Sequence, residues 1–155
     1  MSSTLVVRGV NVSDRPAWER LYGGYGEFYG TGQTAAQRAT VWAWLADPGH
    51  TVEGLVAEDS DRGLVGLAHY RPFSRPLSAT TGCYLDDLFV DPDARGRGVA
   101  VALLEALAQL ATDRGWSVVR WMTAEDNLKA RRMYDRLASR TGWVTYDLDP
   151  SAPRP

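Results

Sequence analysis

The chain has 155 residues, a single-domain length, and 45% of them are hydrophobic, enough to bury a proper core. With 17 basic against 19 acidic residues the net charge is −2, which argues against a general nucleic-acid binder and permits a cationic substrate. No run approaches the ~18 consecutive apolar residues that read as a membrane span, and the single cysteine, Cys83, closes no internal disulfide.

In chain order, Met1–Leu5 lacks a basic start and a long apolar stretch, so no signal peptide is expected and the cytoplasm is the expected compartment. Leu5-Val6-Val7 reads as a first strand. Ser13 is placed to cap a helix that tolerates Pro16 in its first turn and carries Trp18, Leu21, Tyr22 and Tyr25 at helical spacing. Gly23, Gly24 and Gly26 weaken its end, so Tyr25–Gly30 is expected as a mobile, aromatic loop. Thr34-Ala35-Ala36-Gln37 is a capping-box pattern for a second helix, which should bury Val41, Trp44 and Leu45 and stop at Asp47-Pro48-Gly49.

Three strands are expected next: Thr51–Glu58, Leu64–Arg71 (broken by Pro72 to Pro76) and Thr80–Val90, linked as an antiparallel meander. The last of them runs into Asp91-Pro92-Asp93-Ala94-Arg95-Gly96-Arg97-Gly98-Val99-Ala100, a glycine-rich turn before a long helical pattern. Such a turn aims unpaired N–H groups at one spot, and the helix dipole adds about half a positive charge there. That is a cradle for a phosphate or pyrophosphate. It is not the ATP-type loop, since no Gly-Lys-Ser/Thr follows. Nor is it the dinucleotide fingerprint, since position 101 is Val.

The helix after the loop has one solvated stripe, Glu105, Gln109, Thr112 and Asp113, and ends at Gly115. Ser117–Met122 is a fifth strand, parallel to its predecessor through a right-handed crossover. Asp126 or Asn127 caps a last helix with Ala130, Met133, Tyr134, Leu137 and Ala138 on its buried face. Trp143–Leu148 is a final strand and Pro150–Pro155 a frayed tail, so residues 1–149 form one domain.

This order, with Arg95-Gly96-Arg97-Gly98-Val99-Ala100 matching an Arg/Gln-x-x-Gly-x-Gly/Ala signature and Asn127-x-x-Ala130-x-x-x-Tyr134 matching a second motif, resembles the GNAT N-acetyltransferases over nearly the whole chain. Tyr84-Leu85-Asp86-Asp87-Leu88-Phe89-Val90 looks like the Tyr-Leu-Glu-Asp strand of the diamine and thialysine acetyltransferases, with Asp86 standing where those enzymes carry Glu. The resemblance implies an α/β fold with a mixed, mostly antiparallel sheet, a central parallel pair that splays apart, and about four helices. It implies acetyl-CoA as co-substrate and a primary amine, of a small molecule, as acceptor. A homodimer is compatible with it. A protein lysine or N-terminal acceptor, or a non-catalytic acyl-CoA-binding module, stays open as an alternative.

Acetyl transfer from a thioester needs the donor held, the amine made neutral and the leaving thiolate protonated. Arg95–Ala100 would hold the pyrophosphate, the backbone of Leu88, Phe89 and Val90 would pair with the pantetheine arm like an added strand, and Asn127 would touch the same donor. Tyr134 is the expected general acid, sharing a helix face with Asn127 about two turns, or roughly 10 Å, away. At pH 7 only about one alkylamine molecule in a few thousand is neutral, so a carboxylate is wanted near the thioester. Asp86 and Asp87 are neighbours on a strand and should point to opposite faces, so only one can serve; the resemblance selects Asp86. Tyr25, Glu27, Phe28 and Tyr29 could line an acceptor pocket or merely be a surface loop. Trp121 could contact substrate or be core. His69 reads as structural or pocket-lining, Cys83 as inert, and no metal site is expected.

Overall fold

The structure, a computed structural model, describes residues 3–155; Met1 and Ser2, part of the stretch read for a targeting signal, lie outside them. It divides into two compact units, one ending at Trp121 and one spanning Met122–Pro155.

The first unit is built on a five-stranded sheet in the order β1-β2-β3-β4-β5. Strands β1 (Leu5–Gly9), β2 (Glu53–Asp59), β3 (Gly63–Arg75) and β4 (Thr80–Val90) are antiparallel neighbours, and β5 (Val119–Arg120) pairs parallel to β4. Helix α1 (Arg15–Phe28) packs on one face of the sheet. Trp18, Leu21 and Tyr22 from it, with Trp42 of α2 (Ala35–Ala46), cover Val56, Leu64, Leu67 and Phe89. Helix α3 (Val99–Asp113) takes the opposite face through Val99, Leu103, Leu104, Leu107 and Ala111.

The mostly antiparallel sheet, its single parallel pair and four helices are as expected; several boundaries differ. Ser13 lies in a short 3₁₀ turn, where its hydroxyl donates to Asn11 Oδ1 at 2.6 Å, and Asp14 caps α1. Helix α1 runs through its glycines to Phe28 in place of the expected loop. Gly24 passes over Phe89, whose ring a Cβ would meet at 3.6 Å, and Tyr25 packs edge-on against Phe89 at 5.7 Å. Close packing thus outweighs the ~1 kcal/mol helix penalty of each glycine. In α2 the capping box forms, with Gln37 N–H donating to Thr34 Oγ1 at 3.1 Å and Thr34 N–H to Gln37 Oε1 at 2.8 Å. Its core residue is Trp42, while Trp44 is 39% exposed.

Strand β3 continues through Pro72 to Arg75. Its pairing with β2 stops at Tyr70, so Pro72 stands where one edge of β3 is free and a missing N–H costs no ladder bond. Two register shifts bend the meander, one between Ala57 and Glu58, one opposite His69 and Tyr70, where Asp86 is the extra residue on β4.

In the second unit, α4 (Leu128–Leu137) has no fully buried residue; Ala130, Met133 and Tyr134 are half-buried, Leu137 and Ala138 exposed. The expected strand Trp143–Leu148 does not form, and Trp143, Val144, Tyr146 and Leu148 are exposed. A strand needs a partner for its N–H and C=O groups, and within this unit α4 is the only regular element among the described residues. The expected fifth strand shortens to Val119–Arg120.

The approach of α3 to the sheet depends on Gly66. A Cβ there would lie 2.8 Å from Val99 Cγ1, 3.1 Å from Leu103 Cδ1 and 3.2 Å from the Phe89 carbonyl oxygen. Gly66→Ala should therefore cost about 1–3 kcal/mol through overpacking, lowering Tm by roughly 3–10 °C. Val99→Ala should cost less in that background than in the wild type, a coupling readable in a double-mutant cycle by calorimetry; simple additivity would contradict the contact.

Candidate functional site

Two features of the first unit converge on the C-terminal half of β4. The first is an unequal pair of edges. Strand β4 pairs with β3 from Thr80 to Val90, but with β5 only at Cys83 and Tyr84. Past Tyr84 no strand among the described residues pairs with the second edge, so the backbone of Leu88, Phe89 and Val90 is available to an extended ligand. Phe89 itself turns its ring into the core, 5% exposed; Leu88 and Val90 are half-buried.

The second feature is the turn that follows. Asp91 caps a short 3₁₀ turn, its side chain accepting from Asp93 N–H at 3.0 Å, and buried Ala94 anchors it. The chain then swings through Gly96 (φ 77°) and Gly98 (φ 78°), the latter the N-cap of α3. These left-handed conformations suit glycine, and a Cβ at either would meet nothing within 4 Å. The cradle is open where an anion would approach the first N–H groups of α3. Val99 is buried, Ala100 half-buried, and Arg97 exposed. Arg95 lays its guanidinium over the Phe28 ring at 4.7 Å. The residues present fit a pyrophosphate.

On the α1–α2 side lies a cavity of about 540 Å³ lined by Tyr22, Tyr25, Gln33, Val41, Trp44 and Asp87, among others. Of the residues expected at an acceptor pocket, Tyr25 is here. Glu27 instead borders a second depression, with Phe28, Phe89, Asp91 and Pro92, and half-exposed Tyr29 caps α1 and touches Tyr25, centroids 4.7 Å apart. Helical spacing predicts Trp44 in the core and Tyr22 only on a helix stripe. Their place in the cavity follows from the α1–α2 packing, which periodicity alone does not give.

The two carboxylates do not face apart. His69 and Arg71 are two residues apart on β3 and share a face. Asp87 Oδ2 lies 2.9 Å from His69 Nδ1, while Asp86 takes a forked pair from Arg71, Nε to Oδ2 at 3.0 Å and an Nη to Oδ1 at 3.3 Å. The extra residue in β4 resets the alternation, so both acids lie on the α1–α2 face. The expectation of opposite faces is corrected by that bulge.

Their environments diverge. Burial pushes the Asp86 carboxyl above its ordinary value, with help from the Asp87 charge and against the hydrogen bond and charge of Arg71. Burial works the same way on Asp87, but hydrogen bonds from His69, Tyr22 and Tyr25 outweigh it and hold that carboxyl below the ordinary range. Tyr22 and Tyr25 are themselves raised, chiefly by burial and then by the charge on Asp87. Cys83, fully buried, has its thiol pushed up to about 12 by burial, which makes it inert at neutral pH.

In the second unit Asn127 stands at the N-cap of α4, its amide donating to Thr123 Oγ1 at 3.3 Å, and its carbonyl accepts from Arg131 N–H at 3.0 Å. Tyr134 is half-buried two turns along the same helix. Trp121, half-buried, closes the first unit one residue after β5.

The chain is similar to known proteins. The D-amino-acid N-acetyltransferase HPA3 of Saccharomyces cerevisiae is 29% identical over 147 residues, 94% of this chain and 91% of that protein. The thialysine N-epsilon-acetyltransferase of Sus scrofa is 32% identical over 76 residues, 46% of this chain and 45% of its own length. Among solved structures, the aminoglycoside N-acetyltransferase AAC(6′)-Iy in complex with CoA superposes with a TM-score of 0.79 at 19% identity, covering 97% of each chain, a likeness of fold. No helix among the described residues is long and apolar enough to cross a membrane. The Acetyltransferase (GNAT) family model matches residues 18–138, the span that holds the cavity, the free edge of β4, the glycine turn and α4, and the chain belongs to that family of acyltransferases.

Proposed function

We propose that the protein transfers acetyl from acetyl-CoA to the primary amine of a small molecule. The observation that carries this reading is the free edge of β4 running straight into an open glycine cradle at the start of α3. An extended arm ending in a pyrophosphate fits that sequence of backbone donors and acceptors. Small-molecule amines are also what the names of two relatives specify, a D-amino acid and thialysine.

In this reading Arg95, Gly96, Arg97, Gly98, Val99 and Ala100 hold the pyrophosphate, chiefly through backbone N–H groups. Leu88, Phe89 and Val90 pair with the pantetheine arm, and Asn127 adds a contact. Asp86, its carboxyl raised, takes one proton from the ammonium so that nitrogen can attack the thioester carbonyl. The C–S bond then breaks, and Tyr134 gives its phenolic proton to sulfur. The second proton leaving nitrogen restores the phenol. Tyr25, Glu27, Tyr29 and Trp121 contact the acceptor. A second copy of the chain and a cytoplasmic setting are compatible with this chemistry.

Three outcomes follow. Gly98→Asn and Gly98→Asp have nearly the same shape, and Asn is among the side chains that best tolerate a left-handed backbone. The Asp variant should therefore bind acetyl-CoA at least about tenfold more weakly than the Asn variant in calorimetry, from charge alone. Equal affinities would remove the pyrophosphate from the cradle. Tyr134→Phe should leave acetyl-CoA affinity and Tm nearly unchanged while turnover falls by roughly 10²–10⁴, toward the lower end because thiolate leaves readily; single-turnover rates equal to wild type would remove the general acid. Asp86→Asn should move the rise of kcat/KM toward higher pH, measured from roughly pH 6 to 10, because an unassisted amine must deprotonate in bulk water. An unchanged profile would leave water as the base.

A further inference from the structure

A buried hydrogen-bond chain with a fixed direction runs from the core to the wall of the cavity above β4. Trp18, 0% exposed, points its indole N–H at His69 Nε2, 2.9 Å away. An indole nitrogen only donates, so His69 Nε2 carries the lone pair and the ring proton sits on Nδ1. That proton faces Asp87 Oδ2 at 2.9 Å, and the Tyr22 hydroxyl donates to the same oxygen at 3.0 Å. His69 is 1% exposed and is edge-on to Tyr22, centroids 4.6 Å apart. The imidazole is thereby held in one orientation, with Nε2 toward Trp18 and Nδ1 toward Asp87. It has no spare acceptor with which to take a proton from substrate.

The chain ends on Asp87, 19% exposed at its side chain, in the wall of the cavity. The titratable groups facing Asp87 are His69 from β3, Tyr22 and Tyr25 from α1 and its neighbour Asp86 on β4. The lining residues include no lysine or arginine. One carboxylate and the aromatic rings of Tyr22, Tyr25 and Trp44 form a receptor for an organic cation.

We propose that Trp18 and His69 are positioning residues that hold Asp87 as the ammonium receptor of this cavity, and that the acceptor is an alkylammonium or arylalkylammonium whose reacting nitrogen has no carboxylate beside it. The proposal rests on the acetyltransfer reading and narrows its substrate class. Asp87 binds the cation without discharging it. Asp86, on the same face, is left to take the proton.

The test is equilibrium binding to the full chain at pH 7 by NMR titration, with 2-phenylethylammonium, its neutral analogue 2-phenylethanol, and phenylalanine, which adds a carboxylate next to nitrogen. The wild type should prefer the ammonium to each of the others by about tenfold or more, the worth of a hydrogen-bonded charge. His69→Asn puts an amide N–H near the place of Nδ1 and should keep the preference. His69→Gln carries its amide to the Trp18 side, loses the donor to Asp87, and should lose most of it, as should Asp87→Asn. If His69→Gln fails to fold, Tyr22→Phe, which removes only a hydroxyl from Asp87, should reduce the preference several-fold. A wild type that binds all three alike overturns the receptor. An undiminished preference in His69→Gln, or in Tyr22→Phe where that variant stands in for it, overturns the relay. Acetyl-CoA titration of the same samples separates these failures from failure of the acetyltransfer reading, which would show as no acetyl-CoA binding at all.

Discussion

Strand β4 is paired along its whole length on one side and at only two residues on the other, and the site in the first unit is built on that inequality. Its β3 edge carries ten registered pairs, its β5 edge two. Backbone N–H and C=O groups that lack a partner in the chain must find one in water or in a ligand. The strand that bears both carboxylates is therefore the strand with backbone groups left over, and it leads directly into the glycine cradle. Burial of the other elements serves this strand: α1 and α2 wall one face with aromatics, and α3 presses on the other where Gly66 admits it.

The bulge at Asp86 turns one acid into two. In a regular strand, consecutive carboxylates would be divided between the faces of the sheet. The extra residue brings both to the α1–α2 side, and different neighbours then pull their titrations apart. Pairs of acids with opposed shifts are how a single site can hold a cation with one group and move a proton with the other. Asp87 owes its lowered value first to His69 and then to the hydroxyls of Tyr22 and Tyr25. The Trp18 indole N–H fixes the orientation of the His69 ring.

Most of the fold could be read from residue order. The capping box at Thr34, the alternation in the meander and the glycine turn before an apolar helix are local signals, and the elements they mark form where the pattern puts them. What failed was set by distant contacts. Gly23, Gly24 and Gly26 weaken a helix in isolation, yet α1 continues because Tyr25 meets Phe89, residues far apart in sequence. Trp42 and Trp44 are equally hydrophobic in the sequence, and only the packing angle of α2 decides which is core. The bulge leaves no mark on composition, so regular alternation puts Asp87 on the wrong face and does not bring it to His69. Trp143–Leu148 has the composition of a strand but no strand to pair with inside its own unit. The glycine cradle and Tyr25 are visible as candidates because their chemistry is carried by residue type and spacing, whereas Asp86 is singled out by the resemblance of Tyr84–Val90 to the Tyr-Leu-Glu-Asp strand.

The central claim is acetyl transfer to a small ammonium at the carboxylate face of β4. Its most direct test is mass spectrometry of reactions containing the full chain, acetyl-CoA and a panel of polyamines, arylalkylamines, amino acids, aminoglycosides and peptides, with free coenzyme A followed in parallel. The account predicts one acetyl group on the nitrogen of a small primary amine, matched by an equal amount of coenzyme A released. Acetyl-CoA binding with no acetylated product and no coenzyme A released across the panel, or acetylation confined to peptides, would contradict it.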